Sequence, residues 1–356
     1  MNLVSRIRTI LTPAARAQLL LGWGAFLALL AAEPLMSRPL SAPALLILLS
    51  GIVLVIVLCA FGVVAHAEHL AHRLGDPYGT LVLTLSIVII EVILISAVML
   101  GPGEHTTIAR DSVMAVSMII LNLVVGVALV VGGLRHGRLT PNRAGVGAYT
   151  PTQAVSILLL TIGLYAFFLH QQMGPRKTDF QERTAAGPGA AAAPARGGFV
   201  RILAAHRFEV ISRAALLILT VAPIVLLSHD MAALLDDGLG RVGAPVALSG
   251  IVIALIVFLP ETITTVRAAY AGEIQRVSNL CHGALVSTVG LTIPVVLAIG
   301  LATGQTVLLA ETPVDLVLLA LSVLLTITSF FGTHTTALHG GTHLMLFAVY
   351  VISVFS

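Results

Sequence analysis

Charge is scarce in this chain. Asp, Glu, Lys and Arg make up 10% of its 356 residues, against 58% hydrophobic types and a mean hydropathy of +1.04. No soluble domain of this length needs so much apolar surface. Cysteine is nearly absent: Cys59 and Cys281 sit in or near apolar stretches and read as small packing residues, so no disulfide framework is indicated. The short alternating segments of a membrane β-barrel are also lacking. The net charge of +3 sits mostly in loops, where it reports membrane orientation and not nucleic-acid binding.

What remains is a series of apolar runs long enough to cross a hydrocarbon core as helices. Hydropathy predicts about ten of them, an all-α polytopic membrane protein. The expected spans are Gln18 to Ala32, Pro43 to Ala65, Tyr78 to Leu100, Ser112 to Val131, Thr152 to His170, Val210 to Leu227, Ala244 to Val266, Val277 to Ala302, Pro313 to Phe331 and Ala337 to Phe355. The first follows Arg6, Arg8 and Arg16 like a signal peptide, but the many later spans make it a transmembrane helix. Thr184 to Gly198, rich in Ala, Gly and Pro, reads as a flexible linker between halves. The division is 1–42 for the N-terminal segment with its helix, 43–171 for a first repeat of four helices, 172–208 for a cytoplasmic-type linker and 209–356 for a second repeat of five.

Two acids stand deep inside apolar runs: Glu91 in IVIIEVILI and Glu261 in IVIALIVFLPETIT. An ionised carboxylate at mid-bilayer costs about 2.5–3.5 kcal/mol on insertion scales, so each needs a partner, and the natural partner is a cation or a proton. The halves repeat around them. Arg73, Gly75 and Pro77 precede the Glu91 helix, and Arg241, Gly243 and Pro245 precede the Glu261 helix. Internal repeats of this kind are the plan of many secondary transporters. The copies are incomplete: three spans follow Glu261, two follow Glu91, and a counterpart of Pro313 to Phe331 is missing from the first half. Loop charge makes the same point. Arg135, Arg138 and Arg143 mark one loop as cytoplasmic, and Arg176, Lys177, Arg183, Arg196, Arg201 and Arg207 mark another, yet a single span separates them.

Pro260 precedes Glu261 and donates no N–H, which frees the Ile256 carbonyl beside a carboxylate, a pairing suited to a hard cation. Thr264 and Thr265 follow one turn later on the same face. Thr84 shares the helical face of Glu91. Ser112, Ser117 and Asn122 line the next helix, and Gly283 and Ser287 line the helix after Glu261, with Asn279 and His282 before them; each reads equally as an ion ligand or as polar glue between helices. Two glutamates balance one Ca²⁺ or two protons, so cation and protons compete for one acid pair and exchange follows. His66, Glu68, His69 and His72 resemble a metal cluster, but a solvated helix face accounts for them better. His339 and His343, also one turn apart, read as helix packing.

These residues resemble the calcium/proton antiporters of the cation exchanger family, nearest its bacterial ChaA-type branch, which exchanges Ca²⁺ or Na⁺/K⁺ for protons. The resemblance runs through AHAEHLAHRLGDPYGTLVLTLSIVIIEVILIS, RDSVMAVSMIILNLVVGVALVVGG, RVGAPVALSGIVIALIVFLPETITTVRA, EIQRVSNLCHGALVSTVGLTIPVV and THLMLFAVY. It implies two inverted five-helix units after a first helix, with Glu91 and Glu261 meeting at mid-membrane. Ser112 and Ser287 fall where calcium-selective relatives carry glutamine, and Asn122 matches a family asparagine. Ile87, Val88 and Ile89 replace the wider family's Gly-Asn before the first glutamate, and the fifth span is missing.

The expectation is a multi-pass transporter of the bacterial inner membrane, not an enzyme. It exchanges Ca²⁺, or Na⁺ or K⁺, for H⁺. Glu91 and Glu261 are the central acids, and Thr84, Ser112, Ser117, Asn122 and Ser287 are supporting ligands. No cofactor is expected. The partners are small cations, protons and the lipid bilayer; homo-oligomer formation is left open. Two other readings stay open: a transport-impaired member lacking one helix, and a membrane-embedded metalloenzyme using His66, His69 and His72.

Overall fold

A computed structural model describes residues 11–36, 40–74, 107–141, 199–245, 247–304, 311–332 and 334–355, with positions 92, 96, 167, 169 and 170. The expected spans Tyr78 to Leu100 and Thr152 to His170 and the linker Thr184 to Gly198 lie outside the described residues. Those described are helical: α1 (Pro13–Met36), α2 (Ala42–Leu74), α3 (Ile108–Met118), α4 (Val125–His136), α5 (Phe199–Arg241), α6 (Ala247–Ala271), α7 (Ile274–Ser287), α8 (Ile293–Thr303), α9 (Pro313–Phe331) and α10 (Ala337–Ser353). A π-helical turn, Ile119–Val124, joins α3 to α4, and a second, Thr288–Thr292, joins α7 to α8. Among the described residues 7 helices are long and apolar enough to cross a membrane, each π-containing pair counting once, and α10 is a shorter apolar helix.

α5 begins at Phe199, inside the segment expected as linker, because no glycine or proline interrupts the run from Phe199 until Pro223. At 43 residues it is about 65 Å long, well beyond a hydrocarbon core of roughly 30 Å. Pro223 cannot donate to the Leu219 carbonyl one turn back. The Trp23 indole N–H of α1 fills that vacancy at 3.1 Å.

Contacts at helix ends fix the directions. Arg241 donates to the Leu40 carbonyl at 2.8 Å, so the end of α5 meets the start of α2 and the two run antiparallel. Gly250, near the start of α6, faces Ser112 near the start of α3. At the other end His136 bonds the Tyr270 carbonyl at 2.9 Å, and Arg135 lies over the Tyr270 ring, 3.8 Å from its centroid. The α3–α4 rod and α6, one from each half, therefore run parallel along their whole lengths. α10 runs against them, with Gly340 pressed onto Gly126. A Cβ at Gly340 would lie 2.5 Å from the Gly126 carbonyl oxygen and 2.6 Å from the Val130 nitrogen, so only glycine permits this approach. A two-way backbone bridge, Leu139 N to Thr335 O at 2.9 Å and Thr335 N to Leu139 O at 2.8 Å, staples the segment after α4 to the turn before α10.

The two ends of the bundle differ in charge. One carries Arg16, Arg135, Arg138, Arg267 and Arg276 against Glu68, Glu209 and Glu273; the other gathers Asp111, Asp236, Asp237, Glu311 and Asp315 against Arg110 and Arg241. The end of α4 and the start of α5 lie at the same, basic end. The expectation that one intervening span would set the loop of Arg135 and Arg138 opposite the basic segment before α5 is not met.

Candidate functional site

Glu261 lies in the middle of α6, 3% exposed. Pro260 sits inside the helix without ending it, as the 25-residue extent of α6 shows. The Thr264 hydroxyl donates to the Pro260 carbonyl at 3.1 Å, and Thr264 and Thr265 are both buried on the Glu261 face, as their spacing predicts. On α7, Cys281 lies within electrostatic reach of Glu261 and beside the Thr265 hydroxyl, so α6 and α7 close over this carboxylate together.

Depth follows from register. Stepping inward from the Ser112–Gly250 contact and from the Gly132–Ala269 contact at equal rise brings Glu261 level with the π-turn Ile119–Val124. α6 and α7 both pack against this turn. π-turns inside α-helices are frequent at functional sites. The second π-turn has a visible cause: Pro294, at the start of α8, offers no N–H to the Gly290 carbonyl. Ser287, Thr288 and Thr292 are buried there. Each half thus places a π-turn and buried polar groups in the helix that follows its acid.

The other sequence-predicted residues fall as follows. Ser112 is buried near the start of α3, against Gly250. Ser117 is buried and donates to the Val113 carbonyl at 2.8 Å. Asn122, in the π-turn and 0% exposed, donates through Nδ2 to Ser322 Oγ at 2.7 Å, while its Oδ1 faces His343 Nδ1 at 3.4 Å. Ser287 closes α7 at the second π-turn. The structure thus brings Asn122 to the depth of Glu261 and sets Ser112 toward the acidic end. Glu91 and Thr84 lie outside the described residues.

Sequence reasoning passed over Ser322, Thr326 and Ser329 of α9, all buried, which join Asn122 and His343 in one polar seam. Their spacing in an otherwise apolar helix was a legible stripe. The histidine cluster needs correcting. His66 is 6% exposed rather than solvated, because α5 covers that face of α2 and sets Arg213 near it, whereas His69 is exposed. The side chain of His72 lies outside the described residues. Among the described residues no three His, Cys, Asp or Glu side chains converge to hold a metal. His339 is a capping residue: its Nδ1 accepts from the Thr336 N–H at 3.3 Å.

At the acidic end, Glu311 follows α8 and precedes α9. Burial, then the nearby Asp315, pushes its carboxyl up to about 7; Arg110 opposes this and Asp111 adds to it. Arg110 is held by Asp111 at 2.8 Å, and Asp315 accepts from the Thr312 hydroxyl at 2.7 Å.

A family model described as sodium/calcium exchanger protein matches residues 44–183 and 212–356. The chain is 33% identical over 320 residues to a putative ionic transporter, y4hA, of Sinorhizobium fredii, covering 82% of this chain and 84% of that one. It is 31% identical over 323 residues to the sodium-potassium/proton antiporter ChaA of Escherichia coli, covering 83% and 86%. Among solved structures, native YfkE superposes with a TM-score of 0.65 at 18% identity, covering 95% of this chain and 99% of that one. The H⁺/Ca²⁺ exchanger CAX superposes with a TM-score of 0.65 at 13% identity, covering 96% and 89%; at these identities the likeness is one of fold. A buried acid at a π-turn, an apolar helical bundle and matches across both halves lead to one conclusion: the chain belongs to the sodium/calcium exchanger protein family, on its CAX and ChaA side, and is a multi-pass membrane transporter.

Proposed function

We propose that the chain is a secondary antiporter that exchanges Ca²⁺, or Na⁺ or K⁺, for H⁺ through Glu91 and Glu261. The observation that carries this is Glu261: a carboxyl group at mid-depth, 3% exposed, level with a π-turn from the other half. A carboxylate so placed is costly unless a cation or a proton neutralises it, and the two compete. Oxygen donors suit hard cations; Asn122, with Ser117 and Ser287 and with Thr84 beside Glu91, would complete the set as the ion sheds water, while Ser112, level with Gly250 about three turns away, would line the approach from the acidic end.

Chain direction supports an inverted repeat. α2 ends at the basic end of the bundle and α3 starts at the acidic end, whereas α6 runs from acidic to basic. A passage of the Glu91 segment in the sense opposite to α6 lets the two acids face each other, as in transporters built from inverted repeats around a midplane site. By the positive-inside rule the basic end is cytoplasmic, in the inner membrane of a bacterium. Cation export then uses the inward proton gradient. Reconstitution in proteoliposomes with an internal pH dye tests this: cation-driven proton movement should vanish in Glu261→Gln, which keeps the shape but cannot release a proton. Movement that survives the substitution overturns the mechanism.

A further inference from the structure

The acid pair leaves His343 unexplained. This imidazole on α10 is 0% exposed, and its neighbours fix where its proton sits. Ser322 Oγ donates to the Leu318 carbonyl at 2.8 Å, so toward Asn122 it accepts. That assigns Asn122 Nδ2, at 2.7 Å, to Ser322 and turns Oδ1 to His343. Oδ1 carries no hydrogen, so Nδ1 of His343 must donate across the 3.4 Å gap. Nε2 is then the acceptor, and Ser329 Oγ donates to it at 3.1 Å. The Leu121 backbone of the same π-turn also lies beside this ring. One side chain thus ties α9, α10 and the π-turn together, and it leaves the second lone pair of Asn122 Oδ1 for another partner.

We propose that His343 is a positioning residue for cation exchange: by holding the Asn122 amide and the π-turn backbone at the depth of Glu261, it sets the affinity for the transported ion. This rests on the exchange reading above. Groups that orient a ligand without touching the ion typically change metal affinity or activity by about 10- to 100-fold when removed.

The test uses the full chain in proteoliposomes, with Ca²⁺ and Na⁺ as separate probes, and reads both the cation concentration for half-maximal proton movement and the maximal rate. His343→Leu should raise the half-maximal concentration about 10- to 100-fold with a much smaller change in maximal rate. His343→Gln, which retains a donor and an acceptor, should restore most of the affinity. Asn122→Ala combined with His343→Leu should bind no more weakly than Asn122→Ala alone. Should His343→Leu fail to fold, Ser329→Ala removes only the partner of Nε2 and should shift affinity in the same direction by less. Wild-type half-saturation in His343→Leu or, where that variant does not fold, in Ser329→Ala overturns the proposal, as does equal loss of maximal rate in the Leu and Gln variants with affinity unchanged. A wild-type chain that moves no protons overturns the exchange reading and this one with it; a wild-type exchanger indifferent to these substitutions overturns this one alone.

Discussion

Gly340→Ala is a one-methyl test of the packing that seats the central polar seam. The added Cβ would stand 2.5 Å from the Gly126 carbonyl oxygen, whereas ordinary contact begins at 3.4 Å. α10 must therefore retreat by roughly 0.9 Å, and overpacking of this kind costs about 1–3 kcal/mol. The same shift carries His343 Nδ1, already 3.4 Å from Asn122 Oδ1, beyond hydrogen-bonding distance, for a further loss of about 0.5–1.5 kcal/mol. Against this stands the better helix propensity of alanine, worth about 0.8–1 kcal/mol. The net is a destabilisation of about 0.5–3.5 kcal/mol. Gly341 supplies the control, since a Cβ there meets nothing within 4 Å. Gly341→Ala should melt at or slightly above the wild type, and Gly340→Ala several degrees below it. The assay is thermal unfolding of purified protein in one detergent, with both variants compared under the same scan. If Gly340→Ala melts with or above Gly341→Ala, the close approach of α10 to α4 is wrong, and the seating of His343 with it.

Three further outcomes are expected. The Glu311 carboxyl lies at about 7 against an ordinary 4.5, so the folded state holds a proton that the unfolded state has released between those values. Its contribution to stability therefore falls as pH rises through that window; melting temperatures of the wild type should drop there, and those of Glu311→Gln should drop less. An identical pH profile in the two would refute the crowding of Glu311 with Asp315 and Asp111. Cys281, buried on α7 within electrostatic reach of Glu261, leaves little room beside the acid, so Cys281→Leu should raise the cation concentration for half-maximal proton movement in proteoliposomes; an unchanged value would separate Cys281 from the ion path. Arg16→Cys and Arg138→Cys should label from one side of the membrane and Val242→Cys, 76% exposed, from the other. Any other partition breaks the helix directions on which the inverted repeat depends.

Much of this fold was legible because lipid imposes a simple rule: long apolar runs become helices. Pro313 to Phe331 has the predicted ends, with Thr312 capping it through a bond from the Asp315 N–H at 3.2 Å. The burial of Glu261 was legible for the same reason, since IVIALIVFLPETIT carries it in the middle of an apolar run. The π-turns were not, because an extra residue in a helical turn leaves hydropathy unchanged. His66 was misjudged because two histidines one turn apart at a helix end look solvated until α5 is seen to cover one of them. His343 read as packing because its partners come from residues distant in sequence, Asn122 and Ser329. Loop charge alone put two basic segments in conflict, and only helix directions show that they share one end.

The two π-turns have a mechanical corollary. Each stores one surplus residue where an ordinary helix has none, at the depth of the acid in one half and beside Ser287 in the other. Moving such a surplus along a helix by one position swings everything between its old and new sites by about 100° and advances it by about 1.5 Å, with no break in the rod. The Leu139–Thr335 bridge ties the outer end of one rod to the turn before α10, so slack in that rod is taken up more readily inward, toward the level of Glu261, than at the tied end.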